Sequence, residues 1–173
     1  MTYIMVDIEA DGPIPGDYSM VCFGAVVVEP SLSQIFYGQL KPISSDWIPE
    51  ALAVSGFTRD ETLQFEPPRR VMERFDGWLE THSKGRPIFV SDNNGFDWQF
   101  INWYFHHFCR GNRFGHSSTN LGSLYKGVLK DMSVNFRHLR KTKHTHHPID
   151  DARGNAEALL ALQQEHGLEI NLV

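Results

Sequence analysis

Three apolar runs near the start of the chain limit the fold more than any other feature of the sequence. They cover residues 3–9, 20–29 and 34–40, and they are rich in the valine, isoleucine and aromatic residues that β-strands favour. Pro30 and Ser31 form the turn between the last two runs, and prolines and a glycine make the first connection irregular. Strands so closely spaced usually pair in antiparallel order. We therefore predict an antiparallel meander for this part of the chain.

After residue 66 the pattern changes to alternating helix and strand. Two prolines open a helix with an apolar stripe at helical spacing, and a glycine ends the last helix. The predicted segments are a helix from residue 67, a strand at 86–91, a helix at 96–108 and a helix at 150–166. This order predicts an α/β fold with a mixed sheet, and 173 residues suit a single domain covering residues 1–173.

The composition excludes several classes of protein. Hydrophobic residues make up 41% of the chain and charged residues 21%, which is typical of a folded domain rather than a disordered chain. The apolar stretch at residues 3–8 is too short to cross a membrane, and no basic segment precedes it. Cys22 and Cys109 match no zinc or redox spacing, which argues against a zinc enzyme. We expect a cytoplasmic protein with no membrane partner.

Basic residues are concentrated late in a chain whose net charge is −5. This basic segment contains Lys126, Lys130, Arg137, Arg140, Lys141 and Lys143. Two interpretations are open. The segment could follow the phosphate backbone of a nucleic acid, or it could be a solvated surface loop.

Asp7 and Glu9 end the first predicted strand. Residues two apart in a strand face the same side, so the two carboxylates point together, while Val6 and Ile8 point into the opposite layer. Two acidic side chains in a packed layer are costly unless a hard divalent cation such as Mg²⁺ neutralises them. The alternative is an exposed acidic strand end that binds nothing.

Asp97 follows the strand at 86–91 and lies in the first turn of the aromatic helix. Ligand-binding groups are common at such strand-to-helix junctions. The alternative for Asp97 is a carboxylate placed at a helix start because the dipole favours it there. Asn93 is likewise interpretable as a capping or turn residue.

His146 and Asp151 are spaced His-x-x-x-x-Asp, a pattern that the other histidines lack. We place His146 on the loop and Asp151 in the first turn of the last helix, where the small Gly154 and Ala152 should let the helix approach the sheet. An imidazole titrates near neutral pH, so His146 suits proton abstraction from water. The alternative is a histidine-rich surface loop, or an adventitious transition-metal site, formed with His144 and His147.

Together these motifs resemble the DEDDh 3′–5′ exonucleases, which include the proofreading subunits of bacterial polymerases. Residues 7–12 resemble the first motif of that family, residues 93–97 the second and residues 146–151 the third. Residues 53–58 resemble a family segment that usually reads Val-His-Gly-Ile-Thr. The resemblance implies a ribonuclease H-like fold, with a mixed five-stranded sheet of antiparallel meander and parallel strands flanked by helices.

The resemblance also implies hydrolysis assisted by two Mg²⁺ ions, with Mn²⁺ able to substitute. Asp7 would bridge both ions, and Glu9 and Asp151 would complete the first site. Asp97 would support the second site, directly or through water. His146 would deprotonate the attacking water.

A further group of residues is assigned to substrate binding by the same resemblance. Phe57, where the family usually has isoleucine, is the candidate for stacking on the terminal base, and Ser55 replaces a common histidine. The backbone from Ala10 to Gly12 could approach the terminal sugar. The complete set is Ala10, Asp11, Gly12, Ser55, Phe57 and Asn93.

The predicted function is removal of nucleoside 5′-monophosphates from the 3′ ends of single-stranded or frayed nucleic acid, with DNA favoured over RNA. The alternatives are an exoribonuclease, a non-catalytic nucleic-acid-binding module, and a carboxylate-dependent nuclease of the resolvase or transposase type. A homodimer is also open, because the aromatic residues at 98–108 could form either an interface or part of the core.

Overall fold

The computed structural model describes residues 1–170 and Leu172, and it confirms the predicted α/β fold with a five-stranded mixed sheet. The strands lie in the order β3-β2-β1-β4-β5 across the sheet. Their bounds are β1 Thr2–Ala10, β2 Met20–Val27, β3 Ile35–Gln39, β4 Pro87–Ser91 and β5 Ser118–Asn120. The first three pair antiparallel, as the meander required, while β4 pairs parallel with β1 and β5 parallel with β4.

Six α-helices connect and flank the strands in the described part of the chain. Their bounds are α1 Pro49–Val54, α2 Arg59–Thr62, α3 Pro68–His82, α4 Asn94–Phe108, α5 Leu121–Leu129 and α6 Pro148–His166. The three long helices were predicted, whereas α1, α2, α5 and the short strand β5 were not. Helices of four to nine residues and a strand of three show too little periodicity to be recognised from the pattern alone.

The alternation of side chains along β1 divides the core into two layers. Ile4, Val6 and Ile8 pack with α3 and α4 on one face of the sheet. Met5 packs with α6 on the other face. Asp7 and Glu9 share the face of Met5 because the side-chain period of a strand is two. The acidic pair therefore points toward the layer that contains α6.

The aromatic helix α4 contributes mostly to the core. Phe100, Ile101, Tyr104 and Phe105 are fully buried, and the hydroxyl of Tyr104 accepts a hydrogen bond from the Met20 backbone at 2.8 Å. Its other large aromatic residues are half-buried and pack on the same cluster. The core interpretation of this segment is therefore confirmed, and the homodimer stays a prediction.

None of the helices in residues 1–170 has the combination of length and apolar character that crossing a bilayer requires.

Candidate active site

The second half of β1 carries Asp7 and Glu9 beyond the end of its neighbour β4. The β1–β4 ladder stops at the pair of Met5 and Val90, whereas β1 stays paired with β2 as far as Ala10. Asp7 lies opposite Gly24 of β2, and Glu9 lies opposite Cys22. The two carboxylates thus stand at an edge of the sheet where only one neighbouring strand continues.

Gly24 lets the start of α6 rest against β2 beside Asp7. A Cβ at this position would lie 2.7 Å from the backbone nitrogen of Ile149, a separation that real Cβ atoms essentially never show. Because glycine leaves this space free, the first turn of α6 brings Asp151 to the acidic pair. Ligand oxygens of Asp7, Glu9 and Asp151 all lie within 4.8 Å of one another. Two of the three sequence motifs therefore meet at one point.

Asp97 is buried in the first turn of α4, apart from this group of three. Burial raises its pKa to about 8, and proximity to Ser91 and to the backbone of Ile8 opposes that rise. Its Oδ2 is buried without a hydrogen-bond partner in the part of the chain that the structure describes. An orphaned carboxylate oxygen facing other acids is a suitable ligand for a cation or for its bound water.

We call the four carboxylates of Asp7, Glu9, Asp97 and Asp151 the acidic cluster, and neighbouring negative charges disfavour the charged forms of Asp7, Glu9 and Asp97. Burial raises the pKa of Asp7 well above its usual range, and the charges of the three other carboxylates raise it further. Burial also raises the pKa of Glu9, from 4.5 to about 7, and the charge of Asp151 contributes. Bound divalent cations with oxygen ligands would remove this penalty, so the residues fit the two-ion site that the resemblance implies.

The raised pKa values predict how the stability of the metal-free protein depends on pH. The folded state retains protons on Glu9 and Asp97 up to about pH 7 and 8, whereas the unfolded chain releases them near pH 4. The free energy of unfolding therefore falls as the pH rises through that window. Between about pH 6 and 8.5 we expect the melting temperature in chelator to drop by about 5 °C or more.

Thermal unfolding with chelator and with Mg²⁺ checks this prediction. Mg²⁺ should flatten the pH dependence, because bound cations stabilise the deprotonated carboxylates. A melting temperature that rises with pH in chelator would show that deprotonation of the acidic cluster does not destabilise the folded state.

His146 lies on the loop before α6, as predicted, with its ring near Glu9. Its Nδ1 is 3.8 Å from Oε1 of Glu9, and the ring is about half exposed to solvent. The backbone has a positive φ of 60°, and its N–H donates to Oδ2 of Asp151 at 3.1 Å. This unusual backbone conformation aims the imidazole at the acidic cluster from the solvent side.

Two neighbours of Asp151 were not predicted from the sequence. Nδ1 of His144 lies 2.8 Å from Oδ1 of Asp151, and Nη2 of Arg140 donates to the same oxygen at 3.0 Å. The expectation that Gly154 brings α6 close to the sheet is wrong. A Cβ there would lie 2.5 Å from Nε of Arg140, so Gly154 instead makes room for that guanidinium, and Gly24 provides the close approach to the sheet.

Asp11 and Gly12 hold the loop that follows Glu9. The buried Asp11 carboxylate accepts hydrogen bonds from the Ser19 backbone at 2.5 Å and from Nη1 of Arg59 at 2.8 Å. The ring of Tyr18 covers Gly12 so closely that a Cβ would overlap it. The side chain of Asp11 is thus engaged inside the protein. Contact between the backbone from Ala10 to Gly12 and a terminal sugar stays a prediction.

The remaining substrate-binding candidates lie in two separate segments: Ser55 and Phe57 follow α1, and Asn93 precedes α4. Ser55 donates its hydroxyl hydrogen to the Leu52 carbonyl at 2.7 Å, which closes the end of α1. Phe57 is half-buried and meets the ring of Phe65 edge-on, with centroids 5.0 Å apart. Asn93 is exposed and occupies the N-cap position of α4, as the capping interpretation predicted, but it caps through its backbone carbonyl, and its side chain makes no cap hydrogen bond. Contacts of Ser55, Phe57 and Asn93 with a substrate stay predictions.

Comparison with known proteins gives one relative in sequence and several in structure. No protein-family model matches the chain. The 3′–5′ DNA exonuclease Cap18 of Escherichia coli is 41% identical over 130 residues, which cover 73% of this chain and 68% of the relative.

The structural relatives share the fold at low sequence identity. Exonuclease I of Escherichia coli, solved with single-stranded DNA and zinc, has a TM-score of 0.72 at 16% identity; the match covers 96% of this chain and 41% of that one. Cell-death related nuclease 4 has a TM-score of 0.76 at 16% identity, with 94% and 64% covered. A 3′-exonuclease that recognises the histone mRNA stem-loop has a TM-score of 0.75 at 16% identity, with 98% and 85% covered.

The sequence relative and the fold relatives agree with the family that the three motifs resemble and with its fold. A sequence identity of 41% over most of both chains indicates common ancestry and not only a shared fold. The chain therefore belongs to the DEDDh-type 3′–5′ exonucleases of the ribonuclease H-like fold.

Proposed function

We propose that this chain is a metal-dependent hydrolase that removes nucleoside 5′-monophosphates from the 3′ end of single-stranded or frayed DNA. One observation carries the proposal, namely the convergence of Asp7, Glu9 and Asp151 within 4.8 Å. The name of the 41% identical relative, a DNA exonuclease, supports the direction of cleavage and the choice of DNA. The chain spans only 41% of exonuclease I, so the likeness to that protein supports the fold alone.

Two divalent cations are part of the proposal, with Mg²⁺ as the ordinary ion and Mn²⁺ as a substitute. When bound, such ions polarise the scissile phosphate and stabilise the attacking and leaving oxygens of an in-line displacement. Asp7, at the centre of the acidic cluster, would be shared between both ions. Glu9 and Asp151 would complete one site, and the unpartnered oxygen of Asp97 would serve the other.

His146 is the proposed general base. Its half-exposed ring stands on the solvent side of the acidic cluster, so a water molecule can reach it without crossing the protein. The imidazole would accept the proton as the water oxygen attacks the phosphorus. The hydrogen bond from the His146 backbone to Asp151 ties the position of the base to that of a metal ligand.

A basic cleft beside Asp151 is the proposed path of the strand. It has a volume of about 450 Å³ and is lined by Arg137, Arg140, Lys141, Lys143 and His144, with Asp92 at one side. Glu157 of α6 accepts hydrogen bonds from the Thr142 backbone and hydroxyl at 2.7 and 2.9 Å, which holds the basic loop in place. The phosphate-binding interpretation of the basic segment is therefore favoured over the solvated loop.

Neutralising the cleft should weaken binding in a salt-dependent way. Lys143→Gln should lower the slope of log affinity against log salt by about 0.7 for each single-strand phosphate that the lysine neutralises. Lys84→Gln is the matched control, because Lys84 lies before β4, at the opposite end of that strand from the cleft. Fluorescence anisotropy with a labelled oligonucleotide at several salt concentrations measures both slopes. Equal slopes for Lys143→Gln and Lys84→Gln would place the strand elsewhere.

Phe57 is the proposed stacking platform for the terminal base. Its ring packs against the small apolar cluster of Val21, Cys22 and Leu52, and Cys22 lies opposite Glu9 in the sheet, so we place the platform on the side of the acidic cluster. Base–aromatic stacking is worth about 1–3 kcal/mol. Phe57→Ala should therefore raise the dissociation constant for a 3′ end by about 5- to 150-fold.

A pair of oligonucleotides tests the stacking role. The loss of affinity should be large for a strand with a free 3′ end and small for a strand whose end is blocked by a bulky group. Phe57→Tyr keeps an aromatic face and should retain most of the affinity. A Phe57→Ala variant with wild-type affinity for free ends would remove Phe57 from the site.

The choice between DNA and RNA is tested on one gel. DNA and RNA strands of the same sequence, labelled at the 5′ end, are incubated with Mg²⁺ and separately with chelator. We expect ladders that shorten by single nucleotides with Mg²⁺, faster for DNA, and no change with chelator. Faster shortening of RNA would identify an exoribonuclease, and binding without cleavage would identify a non-catalytic module.

A further inference from the structure

We propose that His144, His146 and Asp151 form a separate site for a transition-metal cation of the Zn²⁺ type, and that its occupancy turns the nuclease off. The inhibitory part rests on the proposed exonuclease function, whereas the binding part does not. Ligand atoms of these three residues all lie within 4.8 Å of one another. They overlap the acidic cluster only at Asp151.

The two histidines are placed so that both can reach a cation. Nδ1 of His144 is already 2.8 Å from Oδ1 of Asp151, and the two imidazole rings meet edge-on with centroids 4.3 Å apart. The side chains of His144 and His146 are 53% and 52% exposed, while that of Asp151 is 1% exposed. One fixed carboxylate and two adjustable imidazoles can therefore close around an ion that arrives from solvent.

The ligand types separate this site from the acidic cluster. Zn²⁺ commonly takes three protein ligands plus water, and imidazole nitrogen is among its preferred donors. Mg²⁺ prefers oxygen ligands and keeps most of its water. A site with two nitrogens and one oxygen binds Zn²⁺ far more tightly than Mg²⁺. We therefore expect Zn²⁺ at the histidines and Mg²⁺ at the acidic cluster.

Three contacts bear on how tightly this site holds an ion. The loop is anchored to α6, because the Thr145 hydroxyl donates to Asp150 at 3.0 Å and its backbone N–H donates to Asp151 at 3.1 Å. The Arg140 guanidinium lies 3.0 Å from Oδ1 of Asp151, and its charge opposes that of the incoming cation. Anchoring favours binding and Arg140 limits it, so we expect a reversible site.

Occupancy of this site would stop the reaction for two reasons. Asp151 could no longer serve freely as a ligand in the acidic cluster. His146 would use its ring nitrogen on the ion and could not accept a proton from water. Inhibition should therefore depend on His144, which lines the basic cleft but belongs neither to the acidic cluster nor to the proton transfer, and each variant is compared with its own rate in Mg²⁺ alone.

Binding is measured first, on the metal-free protein, by competition with a chromophoric zinc chelator. We expect one tight Zn²⁺ per chain, weakened about tenfold or more by His144→Ala and by His144→Gln, since even outer partners of metal ligands are worth about 10–100-fold. His147→Gln, a neighbouring imidazole outside the site, and Glu9→Gln, in the acidic cluster, should keep the wild-type affinity. Circular dichroism verifies that each variant is folded.

The opposite pattern would overturn the proposal. If Glu9→Gln loses the Zn²⁺ and His144→Ala keeps it, the ion belongs to the acidic cluster. If the wild type binds no Zn²⁺, the histidines form only a surface loop.

Activity is measured second, as inhibition by buffered Zn²⁺ in excess Mg²⁺. His144→Ala should need about tenfold more Zn²⁺ for half inhibition than the wild type or His147→Gln. Equal sensitivity of all three proteins would refute a regulatory role for this site. If none of them degrades DNA in Mg²⁺ alone, the proposed exonuclease function fails, and the binding measurement still decides whether the site exists.

Discussion

Replacing Asp7 by asparagine should lower the rate of nucleotide release by about 10³-fold or more, because a shared metal ligand supplies several kcal/mol of transition-state stabilisation. Asparagine keeps the size of the side chain and removes its charge. Asp7 is the residue whose pKa all three other members of the acidic cluster raise, so it is the group whose charge most needs bound cations.

The same substitution separates loss of chemistry from loss of folding. Without metal, Asp7→Asn should unfold at a higher temperature than the wild type at pH values where Asp7 is charged, because a buried, repelled carboxylate is gone. With Mg²⁺ the wild type should gain stability and the variant should gain less. Asp46→Asn, an exposed carboxylate before α1, is the control and should behave as the wild type in both assays. Wild-type turnover by Asp7→Asn would refute the metal assignment.

His146→Ala should have the second-largest effect, lowering the single-turnover rate by about 10²- to 10⁴-fold, the usual contribution of a general base. The affinity of the acidic cluster for Mn²⁺ should change much less, because His146 faces the cluster from the loop, with its ring nitrogen 3.8 Å from Glu9.

Chemical rescue tells a base from a ligand. Added imidazole should restore part of the activity of His146→Ala and none of the activity of Asp7→Asn. His147→Gln is the control, since that ring stacks on Tyr37 with centroids 5.1 Å apart. Equal losses of rate and of Mn²⁺ affinity in His146→Ala would make the histidine a metal ligand instead.

Periodic features of the sequence were sufficient to predict the strand and the helix that carry Asp7, Glu9 and Asp151. The period of two along β1 assigns Asp7 and Glu9 to one face of the sheet, and the structure confirms it, with Val6 and Ile8 in the opposite layer. The last helix was expected from residue 150 and begins at Pro148. These predictions succeed because strand and helix geometry repeats over many residues.

Interactions between distant segments could not be predicted in this way. Arg140 and His144 reach Asp151 from an irregular loop, and no spacing rule reports which loop side chain turns inward. Asp11 looked like part of the first motif, yet its carboxylate pairs with Arg59, 48 residues further along the chain. Gly24 gave no local signal either, because its role depends on the backbone of α6 lying against it.

Anomalous scattering from Mn²⁺, in crystals soaked with Mn²⁺ and a deoxynucleoside 5′-monophosphate, tests most directly whether the acidic cluster holds two metal ions. We expect a peak in contact with carboxylate oxygens of Asp7, Glu9 and Asp151, a second peak on the side of Asp97, and the phosphate beside both. A peak at the histidines of the loop alone, with those carboxylates free of metal, would contradict this prediction.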